Sequence, residues 1–514
     1  MSPTDNMDEE SRLSLVTDVS VAQSKKPSPP LRLWLSSLVL ALSGGFHFGF
    51  NLVLTNPAEI ALKNFVNSSI ANSNEGIVFD TESFDNRWSL YVSLLYIGAL
   101  FGAFFIQPMA DRLGRNRAVH HTVTGQALAV SLAIMSYFIN SHVLYAFSRF
   151  LLGFFQAMTV GIAPMYMSES SPPSCRGVIS LSTGLCVQTS IVISSILASP
   201  QFLGTPTTWW ILYAIELGVF IIVLIVIPFL SDSPSYLLSH GRKDEAARSL
   251  HFFHGLSGLD LELAIEALRE NSTHARKAVD LLGLLLDSEA RGKAFTGAMV
   301  MFGMVSSGIV VINAYAFRIF LTFGFEKREA AWANIGIAVI MVMGVALSSL
   351  VIDRFGRRPL LLTTMFCVLI CNCTIATLMQ IFEMTKDHFY GKLIIAVICV
   401  YALVFSAGPA PLSYFISAEL CPQHVRGAAM TLTAIIMAGC RSTIIAIYPL
   451  LVARIHSAMA YFLLFIPPAV ICLVYLYYKL PETKAVKVQT FKEEKEEAEE
   501  DSDESLNIKE KFDS

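Results

Sequence analysis

Two stretches, Ala110–Arg115 (ADRLGR) and Ile352–Arg358 (IDRFGRR), decide how this chain is read. Each is a charged turn around one glycine, Gly114 or Gly356, set between long apolar runs. A second pair of turns repeats with them. ESSPPSCRG holds Glu169 and Arg176 seven residues apart, and ELCPQHVRG holds Glu419 and Arg426 seven apart. Glu169 and Glu419 are separated by 250 positions, and so are Arg176 and Arg426. The chain is therefore two halves carrying the same turns in the same order. Glycine permits the tight connection, and the basic residues favour an anionic membrane surface.

Composition says what surrounds those turns. Only 15% of the 514 residues are charged, 54% are hydrophobic and the mean hydropathy is +0.56. A soluble domain carries about 25% charged residues, so this chain uses lipid as its solvent. No basic face exists outside the short turns, which excludes nucleic acid as a partner. The net charge of −4 says little, because charge is segregated along the chain. The nine cysteines fall mostly in apolar runs or inner turns, against an extracellular disulfide framework. Cys367, Cys371 and Cys373 have no histidine beside them and read as packed small residues, not as a metal site.

About twelve runs approach the ~20 apolar residues that a spanning helix needs. They begin near Leu33, Leu90, Val123, Val143, Val178 and Trp209, then near Ala298, Ala331, Leu360, Leu393, Ala428 and Ala460. The expectation is an all-α membrane protein of two pseudo-symmetric six-helix bundles. Residues 1–32 read as a disordered tail, 33–230 as the first bundle and 231–295 as a helical linker. Residues 296–480 read as the second bundle and 481–514 as an acidic disordered tail. Lys25, Lys26, Arg32, Arg112, Arg115, Arg117, Arg176, Arg354, Arg357, Arg358 and Arg426 fall on one side of the spans. The positive-inside rule makes that side, with both termini, cytoplasmic. Asn67 in NSS then faces outward as a glycosylation site, which suggests the plasma membrane of a eukaryotic cell.

Parallel halves of this kind belong to carriers with alternating access. Asp111 and Asp353 are suited to face a helix N-terminus. Glu169 with Arg112 or Arg115, and Glu419 with Arg354 or Arg357, are suited to pair near the surface. Such pairs would latch the cytoplasmic side in one state. No nucleotide loop, metal cluster or nucleophile–base set is visible, so neither enzyme activity nor a cofactor is expected.

From Leu33 to Lys484 the chain resembles the sugar-porter branch of the major facilitator superfamily, and within it the animal facilitative hexose transporters. The resemblance rests on FGFN (Phe48–Asn51), DRLGR, SRFLLGFFQA with Arg149, PMYMSES, DRFGRRP, GPAP (Gly408–Pro411), SAEL and PETK (Pro481–Lys484). It implies the major facilitator fold and facilitative uniport of a small polar solute, a hexose by default. Arg149 matches a scaffold arginine near the cytoplasmic face.

The sugar-contacting positions depart from that pattern. Where hexose carriers read QQLSGIN, this chain reads MVSSGIV at Met304–Val310. A family glutamine maps to Gly184, with Gln188 one turn on, and a glutamate maps to Ser406. A tryptophan maps to Tyr414, an asparagine–tryptophan pair to Met437 and Ala438, and a second asparagine to Arg441. Methyl groups cannot replace a sugar's hydration, and each unpaired hydroxyl costs ~1–3 kcal/mol. Asn51, Gln188, Ser307, Asn313, Tyr414 and Arg441 are the candidate solute-binding residues, with Asn51, Ser307 and Tyr414 expected to face the pore. Arg441 sits mid-span, where a cation costs ~2.5–3.5 kcal/mol. It reads as an anchor for an anionic or strongly polar solute; the plainer reading is snorkelling or pairing with a buried carboxylate such as Glu216. An organic anion of urate-like kind, or a polyol, is therefore the alternative cargo, and a non-transporting solute sensor the alternative role. Proton-coupled relatives carry an aspartate where this chain has Asn51, which points to passive movement unless His47 or Glu216 titrates. SDSPS at Ser231–Ser235 replaces the family's PESPR, which leaves one latch contact without its arginine.

Overall fold

The computed structural model describes residues 30–73, 81–172, 175–274, 281–421 and 423–481. Nearly all of the tail expectations, and most of the PETK stretch, lie outside them. The first half runs α1 (Leu31–Val53), α2 (Glu59–Ser73), α3 (Thr81–Ala103), α4 (Ile106–Leu113), α5 (Arg115–Ile139), α6 (His142–Ser170), α7 (Arg176–Leu197) and α8 (Trp210–Val226). The linker holds α9 (Pro234–Ser239), α10 (Lys243–His254), α11 (Leu259–His274) and α12 (Leu281–Leu286). The second half runs α13 (Ser288–Val305), α14 (Ile309–Thr322), α15 (Lys327–Phe355), α16 (Arg357–Thr385), α17 (His388–Ala407), α18 (Pro409–Leu420), α19 (Gln423–Ile455) and α20 (Ser457–Lys479).

Ten of the described helical runs are long and apolar enough to cross a bilayer. An eleventh crossing is the pair α3–α4, bent by 51°, and α7 adds a shorter apolar stretch, Ser182–Leu197. Large apolar side chains cover the outside: Ile222, Ile225 and Ile471 are each at least 60% exposed. In water that would be costly; facing lipid it is the expected surface.

Because lipid gives helices no hydrophobic reason to associate, small residues set their contacts. Gly98 and Gly102 on α3 press against α6, where a Cβ would lie 2.0 Å from the carbonyls of Phe150 and Phe154. Gly153 on α6 returns the contact, a Cβ there meeting the Leu95 carbonyl at 1.7 Å. The halves meet along α3 with α19 and along α7 with α15, and more sparsely where α1 faces α14.

The repeated turns fold alike. Gly114 has φ 85° and ψ 165°, and Gly356 has φ 85° and ψ 163°. Both lie in the positive-φ region that glycine alone enters freely, so the repeated glycines carry one hinge geometry into each half. These turns mark one end of the molecule, the turn end.

Candidate functional site

At the turn end of the first half the charges interlock. Arg115 grips Glu169 side-on, Nε donating to Oε2 and Nη2 to Oε1, both at 2.9 Å. Asp111 is exposed and only 3.4 Å from Nη1 of Arg115. The expectation that Asp111 faces a helix N-terminus is corrected: Oδ1 of Asp232 accepts the backbone N–H groups of Arg115 (2.9 Å) and Asn116 (3.1 Å) that open α5. Asp111 lies in the last turn of the preceding helix, half exposed, and its carboxylate turns to the Arg115 guanidinium instead. Arg112, the other proposed partner of Glu169, is also exposed. Ser233 Oγ donates to Oε2 of Glu169 at 2.5 Å. The linker residues Asp232 and Ser233 thus join this charged cluster, and Ser235 occupies the position where the family pattern has its arginine. All these contacts lie within one half and its linker. The side chains of Arg176, Asp353, Arg354, Glu419 and Arg426 lie outside the described residues. Arg357 is part-buried, and Arg358 donates to the Tyr477 carbonyl at 2.8 Å.

Asn51 turns inward instead of facing the pore. Its Nδ2 donates to Glu216 Oε1 (2.5 Å) and to the His47 carbonyl (3.1 Å), and its Oδ1 accepts from Arg149 Nη1 (3.3 Å). His47 Nδ1 lies 3.1 Å from the same Glu216 oxygen, and its ring stacks on Phe220 at 3.4 Å. A buried carboxylate and a buried guanidinium need partners, and the amide of Asn51 serves both. Arg149 is placed toward the His142 end of α6, away from Glu169, so it is not a turn-end residue. Glu216 is committed here and does not reach Arg441.

Ser307 is likewise held inside the second half. The spanning helix breaks at Ser306–Gly308, with Gly308 at φ 99°. The carbonyl of Ser307 accepts from Asn372 Nδ2 (2.7 Å) and Tyr401 OH (3.0 Å), and its hydroxyl donates to the Met304 carbonyl (2.7 Å). Tyr461 OH completes the set on Asn372 Oδ1 at 2.8 Å. A broken helix in lipid must satisfy its freed carbonyls, and this is where the serine is used.

Between the halves lies a small cavity of about 10 Å³, room for about one water. Val53, Ile191 and Ser195 line it from one half, and Ile312, Asn313 and Asn334 from the other. Gln188 lies on α7, one turn before Ile191. Gln188 Oε1, Ser195 Oγ and Asn334 Nδ2 are buried without hydrogen-bond partners. Buried polar atoms are rarely left unmatched, so this junction holds unspent hydrogen-bonding capacity. Ser195 and Asn334 escaped the sequence reading, because a lone serine or asparagine in an apolar run carries no periodic signal.

Asn56 closes the end opposite the turns. It is fully buried; its Oδ1 accepts the Phe317 N–H at 3.0 Å, and its Nδ2 donates to Asn334 Oδ1 (3.2 Å) and the Ile312 carbonyl (3.5 Å). One side chain from the first half thus ties two helices of the second. Arg318 and Glu59 approach to 3.8 Å at the same end.

Arg441 also lies at the junction, 4% exposed at the midpoint of its span. Its Nε and Nη1 have no hydrogen-bond partner. The rings of Phe48 and Tyr96, both from the first half, each stand 5.9 Å from the guanidinium carbon. Tyr414 OH donates to Met437 Sδ at 3.3 Å, one turn from Arg441.

Comparison with known proteins decides what this arrangement is. Residues 37–494 match the family described as "Sugar (and other) transporter". The chain belongs to that family. Among its relatives, the facilitated glucose transporter member 3 of Canis lupus familiaris is 28% identical over 474 residues, covering 89% of this chain and 91% of the relative. Member 7 of Mus musculus is 25% identical over 460 residues, covering 88% of each. Among solved structures, the proton:xylose symporter XylE bound to 6-bromo-6-deoxy-D-glucose superposes with a TM-score of 0.71 at 18% identity, covering 87% of this chain and 96% of that one. A partially occluded inward-open form of XylE from E. coli gives 0.70 at 16%. At such identities the structures establish the fold. This sugar-transporter family member is an integral membrane protein with the major facilitator architecture.

Proposed function

We propose that the chain is a facilitative carrier that moves a small, hydroxyl-bearing solute through the junction between its halves by alternating access. The observation that carries the reading is the junction itself: Ser195 and Asn334 hold unmatched polar atoms there, and Asn56 bridges the halves beside them. A solute hydroxyl satisfies those atoms as water would, and release of Asn56 opens the path. The charged turns lie on the cytoplasmic side with both termini, and Asn56 on the outer side. Asn67, exposed on α2, is the glycan acceptor, and the plasma membrane is the site of action.

The movement is passive. Asn51 does not titrate, and its amide bridges Glu216 and Arg149 inside one half, which supports a cycle without a coupled proton. Purified protein in liposomes should accumulate labelled D-glucose or a related polyol by counterflow against unlabelled solute. Specific binding without counterflow would identify a sensor. An imposed pH gradient should leave the initial rate unchanged, and acceleration by an inward proton gradient would overturn the passive reading.

A further inference from the structure

We infer that Arg441 is the anchor for a carboxylate, so that the carrier's cargo is a hydroxylated monoanion of sugar-acid type. The inference rests on the carrier reading above and narrows it to a substrate class. Three observations bear on it. The guanidinium occupies the middle of its span, too far from either end to reach water by extending. Two of its nitrogens are buried with no acceptor. No carboxylate pairs with it among the described residues: Glu216 turns Oε1 to His47 and Asn51, and Glu59 lies beside Lys63 and Arg318.

An arginine cannot escape by losing its proton. The two aromatic rings near it offset part of the cost of burial, but at 5.9 Å they supply no hydrogen-bond acceptor. The site lacks an anion with acceptor oxygens, which a carboxylate provides in the geometry a guanidinium prefers. Its position suits transport. Phe48 and Tyr96 come from one half and Arg441 from the other, so the guanidinium sits at the seam between the halves. Tyr315 OH, on the helix that carries Asn313, donates to the Ile445 carbonyl one turn from Arg441, at 3.1 Å. The cation and the polar cavity therefore belong to one neighbourhood. Arg441 takes the carboxylate, and Asn313 and Asn334 take hydroxyls.

The test compares labelled D-glucuronate with D-glucose, near neighbours in size and hydroxylation, in liposomes carrying wild type, Arg441→Gln or Arg441→Lys. We expect wild type to carry glucuronate. Arg441→Gln should lower that uptake about tenfold or more, lower glucose uptake by a much smaller factor, and be partly rescued by Arg441→Lys. Thermal unfolding in detergent separates this role from a structural one. Glucuronate should raise the midpoint of wild type but not of Arg441→Gln. The empty variant should be at least as stable as wild type, because an unmatched buried charge has been removed. Glucose uptake without glucuronate uptake, or glucuronate uptake unaffected by Arg441→Gln, overturns the anchor while leaving the carrier reading intact. Absence of flux for both solutes overturns both.

Discussion

Asn56 shows how much one side chain can hold. It accepts from the Phe317 backbone and donates to Asn334. Asn56→Ala would leave that N–H without its partner, at about 1–3 kcal/mol. A melting point lower by a few degrees is expected, together with faster exchange between facing states in the counterflow assay. A variant as stable as wild type would show that the bridge carries no load. Glu169 makes a parallel case at the turn end. With Arg115 and Glu169 13% and 22% exposed, solvent screens their pair only partly. Glu169→Gln removes the charge from a two-pronged contact and should cost about 1–2 kcal/mol by thermal unfolding. Of the residues singled out from sequence, Arg441 and Asn313 are placed at the junction. The helix partners of Asn51 and Ser307 were not legible, because their chemistry is the same whether an amide or hydroxyl faces a solute or a neighbouring helix. Only the partners decide, and these come from distant helices: Glu216 for Asn51, Asn372 for Ser307.

At the scale of elements, the glycine turns make the clearest forecast. Gly114 combines φ 85° with a neighbour that leaves no room: an added Cβ would lie 2.3 Å from Asp232 Oδ2. Gly241 has φ 74° but open space around it. Gly241→Ala should therefore cost only the backbone penalty of about 1–2 kcal/mol, and Gly114→Ala more, with release of Asp232 from the start of α5. Equal melting points for the two variants would refute this account of the turn. The spans and turns were legible because hydropathy and repetition are properties of the chain itself. The 51° bend between α3 and α4 was not legible, since the apolar run passes through it without interruption. Nor was the role of Asp232 as the cap of α5, for it is contributed from more than a hundred residues away.

At the scale of the whole molecule, cargo charge has an electrical consequence. Passive movement of a monoanion transfers one negative charge per cycle, worth about 2.3 kcal/mol per 100 mV. An inside-positive potential set with potassium and valinomycin should drive glucuronate accumulation toward about 50-fold at 100 mV. The same potential should leave the equilibrium level of glucose unaltered. Potential-independent glucuronate levels would mean that a compensating ion travels with it.

The interruption at Ser306–Gly308 also makes the halves mechanically unequal. α1 crosses without a gap, carrying only a π-helical turn at Leu42–Phe46, whereas the corresponding crossing of the second half is cut in two. The fragment beyond the cut, α14, is 14 residues long and carries Ile312, Asn313 and Phe317 together. Its root is moored by Asn372 and Tyr401, while its grip on Asn56 rests on a few hydrogen bonds. In the proposed carrier cycle, opening at the Asn56 end would need only that this short lever swing about its pivot, with neither six-helix body tilted.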